Sequence, residues 1–218
     1  MPHWQKITLV GVGLLGGSIG LAAKQRRLAA RVCGYVRRAA GAEECLKARA
    51  VDEASTDLAR AVGDAELVVL CTPLAQMAAL MPKLLPALAR GAIVTDVGSV
   101  KGSVVTELEP LVAGAGGRFV GSHPMAGSEK MGVGAAQADL FEKAICVVTP
   151  TAASDKDAVR RVEEFWKTLG GVTLTMSPEL HDDLVSRSSH LPHVVAAEIA
   201  NYVLSPVHPK EQAAVCAT

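Results

Sequence analysis

The sequence predicts an α/β fold, a doubly wound and mostly parallel Rossmann sheet followed by the start of an α-helical domain. Strand-like and helix-like segments alternate along most of the chain, which is typical of parallel sheets covered by helices. The apolar runs are short and continuous rather than alternating, as expected for strands that are buried on both faces. A glycine-rich turn joins the first strand to the first helix. These three observations together define the doubly wound class.

The first unit consists of a strand, a tight turn and a helix. The strand Ile7–Val10 runs directly into the turn Gly11–Gly16, and an Ala- and Leu-rich helical pattern follows. Gly11 allows a sharp turn, Gly13 lacks a side chain that would hold a pyrophosphate away from the backbone, and Gly16 lets the helix pack closely on the strand. The N–H groups at the helix start favour phosphate. This context predicts a dinucleotide site formed by Gly11, Gly13, Leu14, Leu15 and Gly16.

The remaining elements follow the same alternation. Further strands are predicted at residues 31–36, 65–71, 92–96, 118–121, 144–149 and 172–175. Helices are predicted at residues 39–48, 74–88, 101–112 and 155–169, and one long helix, bent at Pro192, at residues 178–204. We therefore assign residues 1–176 to a dinucleotide-binding domain and residues 177–218 to the beginning of a helical substrate or dimerisation domain.

Composition narrows the functional classes. The formal net charge is zero, which gives no indication of nucleic acid or of an anionic membrane as a partner. The five cysteines are scattered and never in Cys-x-x-Cys spacing, which argues against a disulfide framework and indicates a reducing compartment. No apolar run approaches the roughly 18 residues of a membrane helix, and the residues before the first strand leave no room for a cleavable leader. A cytoplasmic protein is expected.

The end of the second predicted strand bears on the choice of cofactor. Sites that prefer NAD place an Asp or Glu there, about 20 residues past the glycines, to bind the ribose hydroxyls. This chain has Val36 followed by Arg37 and Arg38. Two guanidinium groups can bind a 2′-phosphate, so NADP is the predicted cofactor, with NAD possible. The alternative is that both arginines lie on a solvated loop.

Polar residues follow the next strands at the edge where ligands bind in such sheets. Thr72 and Pro73 follow one strand and are predicted to contact cofactor, although they could simply end the strand. Ser99 follows another and could simply cap a helix. His123 lies in a Gly- and Pro-rich stretch after a short strand. A neutral imidazole at that edge could accept a hydroxyl proton while hydride leaves the same carbon, so His123 is the predicted catalytic base.

Five motifs in order along nearly the whole chain resemble those of the prephenate/arogenate dehydrogenase family. The motifs are Gly11–Ser18, Asp96–Gly102, Gly121–Glu129, Ala138–Phe141 and Ser189–His193. The glycine turn alone would fit many families, whereas the other four in this order are much more specific. The resemblance implies NAD(P)-dependent oxidative decarboxylation of prephenate or arogenate, in tyrosine biosynthesis. Hydride would leave the hydroxyl-bearing ring carbon, and loss of the ring carboxylate would make the ring aromatic.

The resemblance also implies roles for individual residues. His123 would take or polarise the hydroxyl proton, and Ser99 would form hydrogen bonds near His123 and the nicotinamide. Ser128 and Glu129 would line the substrate pocket, and His193 would contact substrate from the second domain. The protein's contribution would be to align hydroxyl, hydride and acceptor ring.

A metal site is the alternative interpretation of the histidines near the C-terminus. His190 and His193 would share a helix face at this spacing. The sequence provides no third ligand at comparable spacing, and we read Asp182 and Asp183 as part of a solvated first helical turn. We therefore predict no metal, with His190 as a packed or hydrogen-bonded neighbour of the substrate contact.

The C-terminus is where the chain departs from the family. Members continue into a helical dimerisation domain with an arginine for a substrate carboxylate, and this sequence stops at Thr218, apparently before that segment. We therefore expect a truncated chain that would form a homodimer once the helical domain is complete. Two other functions remain open: a dehydrogenase of a small hydroxy acid, and a non-catalytic NADP-binding module.

Overall fold

A single eight-stranded sheet organises the chain. The computed structural model describes residues 3–204. The strand order is β3-β2-β1-β4-β5-β6-β7-β8, in which β1–β6 are mutually parallel while β7 pairs antiparallel with β6 and parallel with β8. The predicted doubly wound, mostly parallel Rossmann sheet is therefore confirmed, as is the helical segment that follows it.

The strands and helices lie close to the predicted positions. The strands are β1 Trp4–Val10, β2 Ala29–Tyr35, β3 Glu53–Ser55, β4 Leu67–Leu70, β5 Ile93–Asp96, β6 Arg118–Pro124, β7 Ile145–Thr149 and β8 Val172–Thr175. The helices are α1 Leu14–Gln25, α2 Ala39–Lys47, α3 Leu58–Val62, α4 Leu74–Leu84, α5 Gly102–Gly114, α6 Lys156–Thr168, α7 Pro178–Val185 and α8 Leu191–Leu204.

Helices cover both faces of the sheet and bury two apolar clusters. One cluster, with Ile7, Leu9 and Ile19 among its members, extends to Phe165 and Trp166 of α6. The other, on the opposite face, joins Val68 and Val94 to helices α4 and α5, among other residues. Burial on both faces explains why the central strands are continuous apolar runs.

The sequence missed two short elements and one helix irregularity. Strand β3 and helix α3 have three and five residues, too short for a periodic pattern to identify them. The long helix expected at residues 178–204 is interrupted by a π-helical turn, Ser186–His190, between α7 and α8. Pro192 follows that turn. Since proline lacks an N–H and crowds the carbonyl four residues back, a widened turn just before it is physically reasonable.

The C-terminal part of the prediction is only partly described. Helix α7 packs against α5, with His181 and Val185 buried, and α8 ends the described region. Residues 205–218 of the predicted helical domain lie outside the described residues, and the division of the chain at residue 176 stays a prediction. Within residues 3–204, no helix is both long enough and apolar enough to cross a membrane.

Candidate active site

Two adjoining cavities lie at the edge formed by the carboxyl ends of the parallel strands. The first has a volume of about 460 Å³ and extends from the glycine turn to Arg37 and Arg38. The second has a volume of about 600 Å³ and extends from the glycine turn to Ser99 and His123. The two cavities share part of their walls and so form one continuous groove. The shared wall residues are Gly13, Cys71, Thr72, Pro73, Met131 and Gly132. Ligands of doubly wound sheets bind at this edge.

The glycine turn has the geometry that its spacing predicts. Gly11 has a φ of +96°, in the region that favours glycine. A Cβ at Gly16 would collide with the carbonyl oxygen of Gly11, so only glycine fits there. A Cβ at Gly13 would meet no atom within 4 Å, so the space beside that backbone is open. Gly13 also precedes the first residue of α1 and no side chain caps that helix, which leaves its first N–H groups free to bind an anion.

Thr72 provides a test of whether a dinucleotide fits this groove. Its Oγ1 is buried and has no hydrogen-bond partner among the described residues. An unpaired buried hydroxyl is costly, and a polar ligand in the groove could supply the missing partner. Together with the open backbone at Gly13, this orphaned hydroxyl indicates that the residues present fit a bound dinucleotide.

The far end of the groove carries positive charge. Arg37 and Arg38 follow β2 and are exposed, and neither takes part in a salt bridge within residues 3–204. Glu44 of α2 lies on the same cavity wall, so the wall is not free of carboxylates as the strand end alone suggested.

His123 lies within a strand, not in the loop that the sequence predicted. Strand β6 extends to Pro124, and His123 pairs with Val147 of the antiparallel strand β7. The Gly- and Pro-rich composition favoured a loop, but pairing with β7 continues the strand. The imidazole still lines the second cavity. A sheet position holds it more firmly than a loop would.

The surroundings of His123 keep its imidazole neutral. Burial has the largest effect and the positive charge of Lys101 the next, and they lower the pKa of His123 to about 3, while the Asp182 carboxylate acts in the opposite direction. A neutral imidazole can accept a proton, as the predicted role of His123 requires.

A buried ion pair holds β5, β6 and the start of α5 together at Ser122, the residue before His123. Asp96 and Lys101 are both completely buried, and the Lys101 ammonium contacts the Asp96 carboxylate. The same ammonium donates to the Ser122 carbonyl at 2.8 Å. Asp96 also accepts from the backbone N–H groups of Gly98, at 2.8 Å, and Ser122, at 3.1 Å. Buried charges need such complete pairing, since each is costly to remove from water.

The hydroxyl of Ser122 forms further hydrogen bonds that fix strand β6. It donates to the Asp96 carbonyl at 2.6 Å, lies 2.9 Å from Thr95 Oγ1, and accepts from Trp166 Nε1 at 3.0 Å. Hydrogen bonds to both the backbone and the side chain of Ser122 therefore fix strand β6 at the residue before His123.

A chain of hydrogen bonds connects His123 to the start of α5. His123 Nδ1 lies 2.9 Å from His181 Nε2, and His181 Nδ1 lies 2.7 Å from Asp182 Oδ1. The Asp182 carboxylate accepts from the backbone N–H groups of Lys101 and Gly102, both at 2.8 Å. The interpretation of Asp182 as part of a solvated turn is therefore wrong, because contacts 80 residues away in sequence engage it. Asp183, by contrast, is exposed and pairs with Arg187.

The other predicted site residues fall into two groups. Ser99 lines the same cavity as His123, but no hydrogen bond joins the two side chains. Ser128 and Glu129 are exposed, and the Ser128 hydroxyl donates a hydrogen bond to Glu129 Oε2 at 3.1 Å. They precede the cavity residues Lys130 and Met131 in the chain but do not line the cavity themselves. His193 is exposed on α8, with Nδ1 2.8 Å from the Ser189 carbonyl, and does not line the cavity. Their roles stay predictions.

Sequence reasoning missed Lys101, His181 and Asp182. Lys101 lies within the motif Asp96–Gly102, but only the tertiary structure shows that its charge is buried. His181 carried no signal beyond its residue type. Within residues 3–204, no group of three His, Cys, Asp or Glu side chains has the geometry to hold a metal ion.

The fold and the groove define a nucleotide-binding protein of the Rossmann class. The family model described as "Prephenate dehydrogenase, nucleotide-binding domain" matches residues 19–175. The chain belongs to the prephenate dehydrogenase family, as the motifs predicted.

Individual relatives agree with this membership. The chain is 37% identical over 196 residues to a prephenate dehydrogenase of Bacillus subtilis, covering 89% of this chain and 53% of that protein. The crystal structure of an A. aeolicus prephenate dehydrogenase in complex with hydroxyphenyl propionate and NAD+ superposes with a TM-score of 0.87 at 34% identity, covering 94% of this chain and 71% of that one. A Synechocystis arogenate dehydrogenase superposes with a TM-score of 0.81 at 32% identity, covering 95% and 72%. This chain thus spans about half the length of the Bacillus relative.

Removing one partner of the buried ion pair should destabilise the protein. Lys101→Met leaves the Asp96 carboxylate buried without its counter-charge, and we expect the free energy of unfolding to fall by about 3–5 kcal/mol. Urea unfolding followed by circular dichroism measures this change. The control Lys47→Met alters an exposed lysine of α2 and should change stability by less than about 0.5 kcal/mol. Equal stability of the two variants would contradict the assigned role of the pair.

Proposed function

We propose that this protein catalyses the oxidative decarboxylation of prephenate or arogenate, with hydride transfer to a nicotinamide dinucleotide, as a step of tyrosine biosynthesis. The single observation that carries the proposal is the position of His123 on the wall of the groove half that lies beyond the glycine turn. The lowered pKa of His123 supports its role as a proton acceptor. Family membership and the neighbouring A. aeolicus and Synechocystis structures support the substrate class.

Each half of the groove would have its own task. The glycine turn and the start of α1 would hold the pyrophosphate, and Thr72 would contact the cofactor with its unpaired hydroxyl. A bound nicotinamide supplies the hydride acceptor. His123 would accept the proton of the substrate hydroxyl as hydride leaves the same carbon. Ser99, on the same cavity wall, would help to place the substrate and the cofactor.

Substrate contacts beyond this wall are also part of the proposal. Ser128 and Glu129 lie on the loop that continues from β6, and His193 lies on α8. All three are exposed, so a substrate or a further part of the protein could cover them. Glu129 could favour the ammonium of arogenate over the keto group of prephenate. Exposed apolar side chains on α8, with Leu191, Val194 and Ile199 among them, support the proposal of a helical dimerisation domain and a homodimer. A cytoplasmic location is part of the same proposal.

NADP is the proposed cofactor, because Arg37 and Arg38 are exposed on the cavity wall and form no salt bridge with any carboxylate of residues 3–204. Replacing both by glutamine should weaken NADP binding roughly 10- to 100-fold, since a charged hydrogen bond is worth about 1.5–3 kcal/mol. NAD binding should change little. Isothermal titration calorimetry with each cofactor measures both affinities. The control Arg160→Gln alters an exposed arginine of α6 and should leave both unchanged. A variant that loses NAD and NADP binding equally would contradict NADP preference.

Turnover tests the catalytic assignment. His123→Asn should lower kcat for prephenate and arogenate by about 10²–10⁴-fold, because the proton acceptor is lost, while the affinity for dinucleotide stays close to that of the wild type. Nicotinamide absorbance measures the rate, with NAD and NADP tested separately on each substrate. The control His3→Asn replaces an exposed histidine and should retain full activity. Absence of turnover with either substrate in the wild-type protein would refute the proposed function.

A further inference from the structure

A relay, that is, a chain of hydrogen bonds from helix α7, ends at Nδ1 of His123, the proposed catalytic imidazole. Asp182, His181 and His123 form an unbroken chain, with separations of 2.7 Å and 2.9 Å between the paired atoms. His181 is almost completely buried, and its ring meets that of His123 edge-on with centroids 5.2 Å apart. His123 is half-buried, and its contact with the buried ring of His181 leaves the two imidazoles little freedom to exchange partners.

The direction of the relay follows from what each group can donate. Burial alone would raise the pKa of Asp182, but the N–H groups of Lys101 and Gly102, together with His181, lower it overall. Asp182 is therefore a carboxylate that can only accept, so His181 Nδ1 must carry the proton that it donates. Burial lowers the pKa of His181, which keeps this imidazole neutral and leaves its Nε2 without a proton.

The last link then fixes the proton on His123. Because His181 Nε2 can only accept, His123 Nδ1 must donate to it, and a neutral His123 has a bare Nε2. We propose that Asp182 and His181 are positioning residues that hold His123 in its Nδ1–H tautomer, so that its Nε2 lone pair is available to the substrate hydroxyl. This inference rests on the proposed function for its catalytic meaning, but the tautomer itself does not depend on any reaction.

The relay also connects the base to the cofactor-binding part of the fold. Asp182 accepts from the first residues of α5, the helix that follows the stretch containing Ser99. The same carboxylate therefore stabilises the start of α5 and fixes the His181 tautomer. A shift of α7 would disturb both the base and the cavity wall around it.

Nitrogen-15 NMR of the histidine side chains in the substrate-free protein tests the proposal directly. We expect protonated Nδ1 and unprotonated Nε2 on both His123 and His181 near neutral pH. Assignment uses single-histidine variants. A protonated Nε2 on His123 in the wild-type protein would overturn the proposal, even if no variant of the relay could be folded.

The variant His181→Phe retains an aromatic ring at this position and removes both hydrogen bonds. It should let His123 move its proton to Nε2, where the cavity can solvate it, and lower kcat at least about 10²-fold with a small change in KM. The control His190→Phe removes an imidazole that forms no hydrogen bond with His123, and the Nδ1–H tautomer should persist. An unchanged kcat in His181→Phe would refute the positioning role. Wild-type protein with the expected tautomer but no turnover would refute the proposed function and leave the relay intact.

Discussion

The buried pair of Asp96 and Lys101 is the interaction on which the site depends. It lies where β5 ends and α5 is about to begin, and its other hydrogen bonds go to the backbone of Ser122 in β6 and of Gly98. Because neither charge reaches solvent, any arrangement that separates them is heavily penalised. The pair therefore fixes the distance between two strands and one helix, and His123 is the next residue along β6.

The rest of the site is arranged around this fixed point. The parallel strands β1, β4 and β5 present the glycine turn, Thr72 and Ser99 along one edge, as doubly wound sheets do. Strand β6 adds His123 to the same groove. Helix α7 contacts the His123 imidazole through His181, which is in turn hydrogen-bonded to Asp182. In the proposed function the dinucleotide would extend along this groove as far as His123, which lies on a strand rather than in a loop.

The parts that sequence predicted well are those determined by local chemistry. The glycine turn and the alternation of elements both depend on residues close together in the chain. The loop around His123 was wrong because β7, far along the chain, continues the strand by pairing with it. Asp182 was misread for the same reason, since its partners Lys101 and Gly102 lie about 80 residues away. Composition near a residue does not reveal such distant contacts.

A crystal structure of the protein with bound NADP tests the central claim most directly, namely that one groove places the cofactor against His123. The account predicts the pyrophosphate at the start of α1, the 2′-phosphate beside Arg37 and Arg38, and the nicotinamide in the cavity lined by Ser99 and His123. A dinucleotide bound in the reverse direction, or a nicotinamide ring outside that cavity, would contradict it.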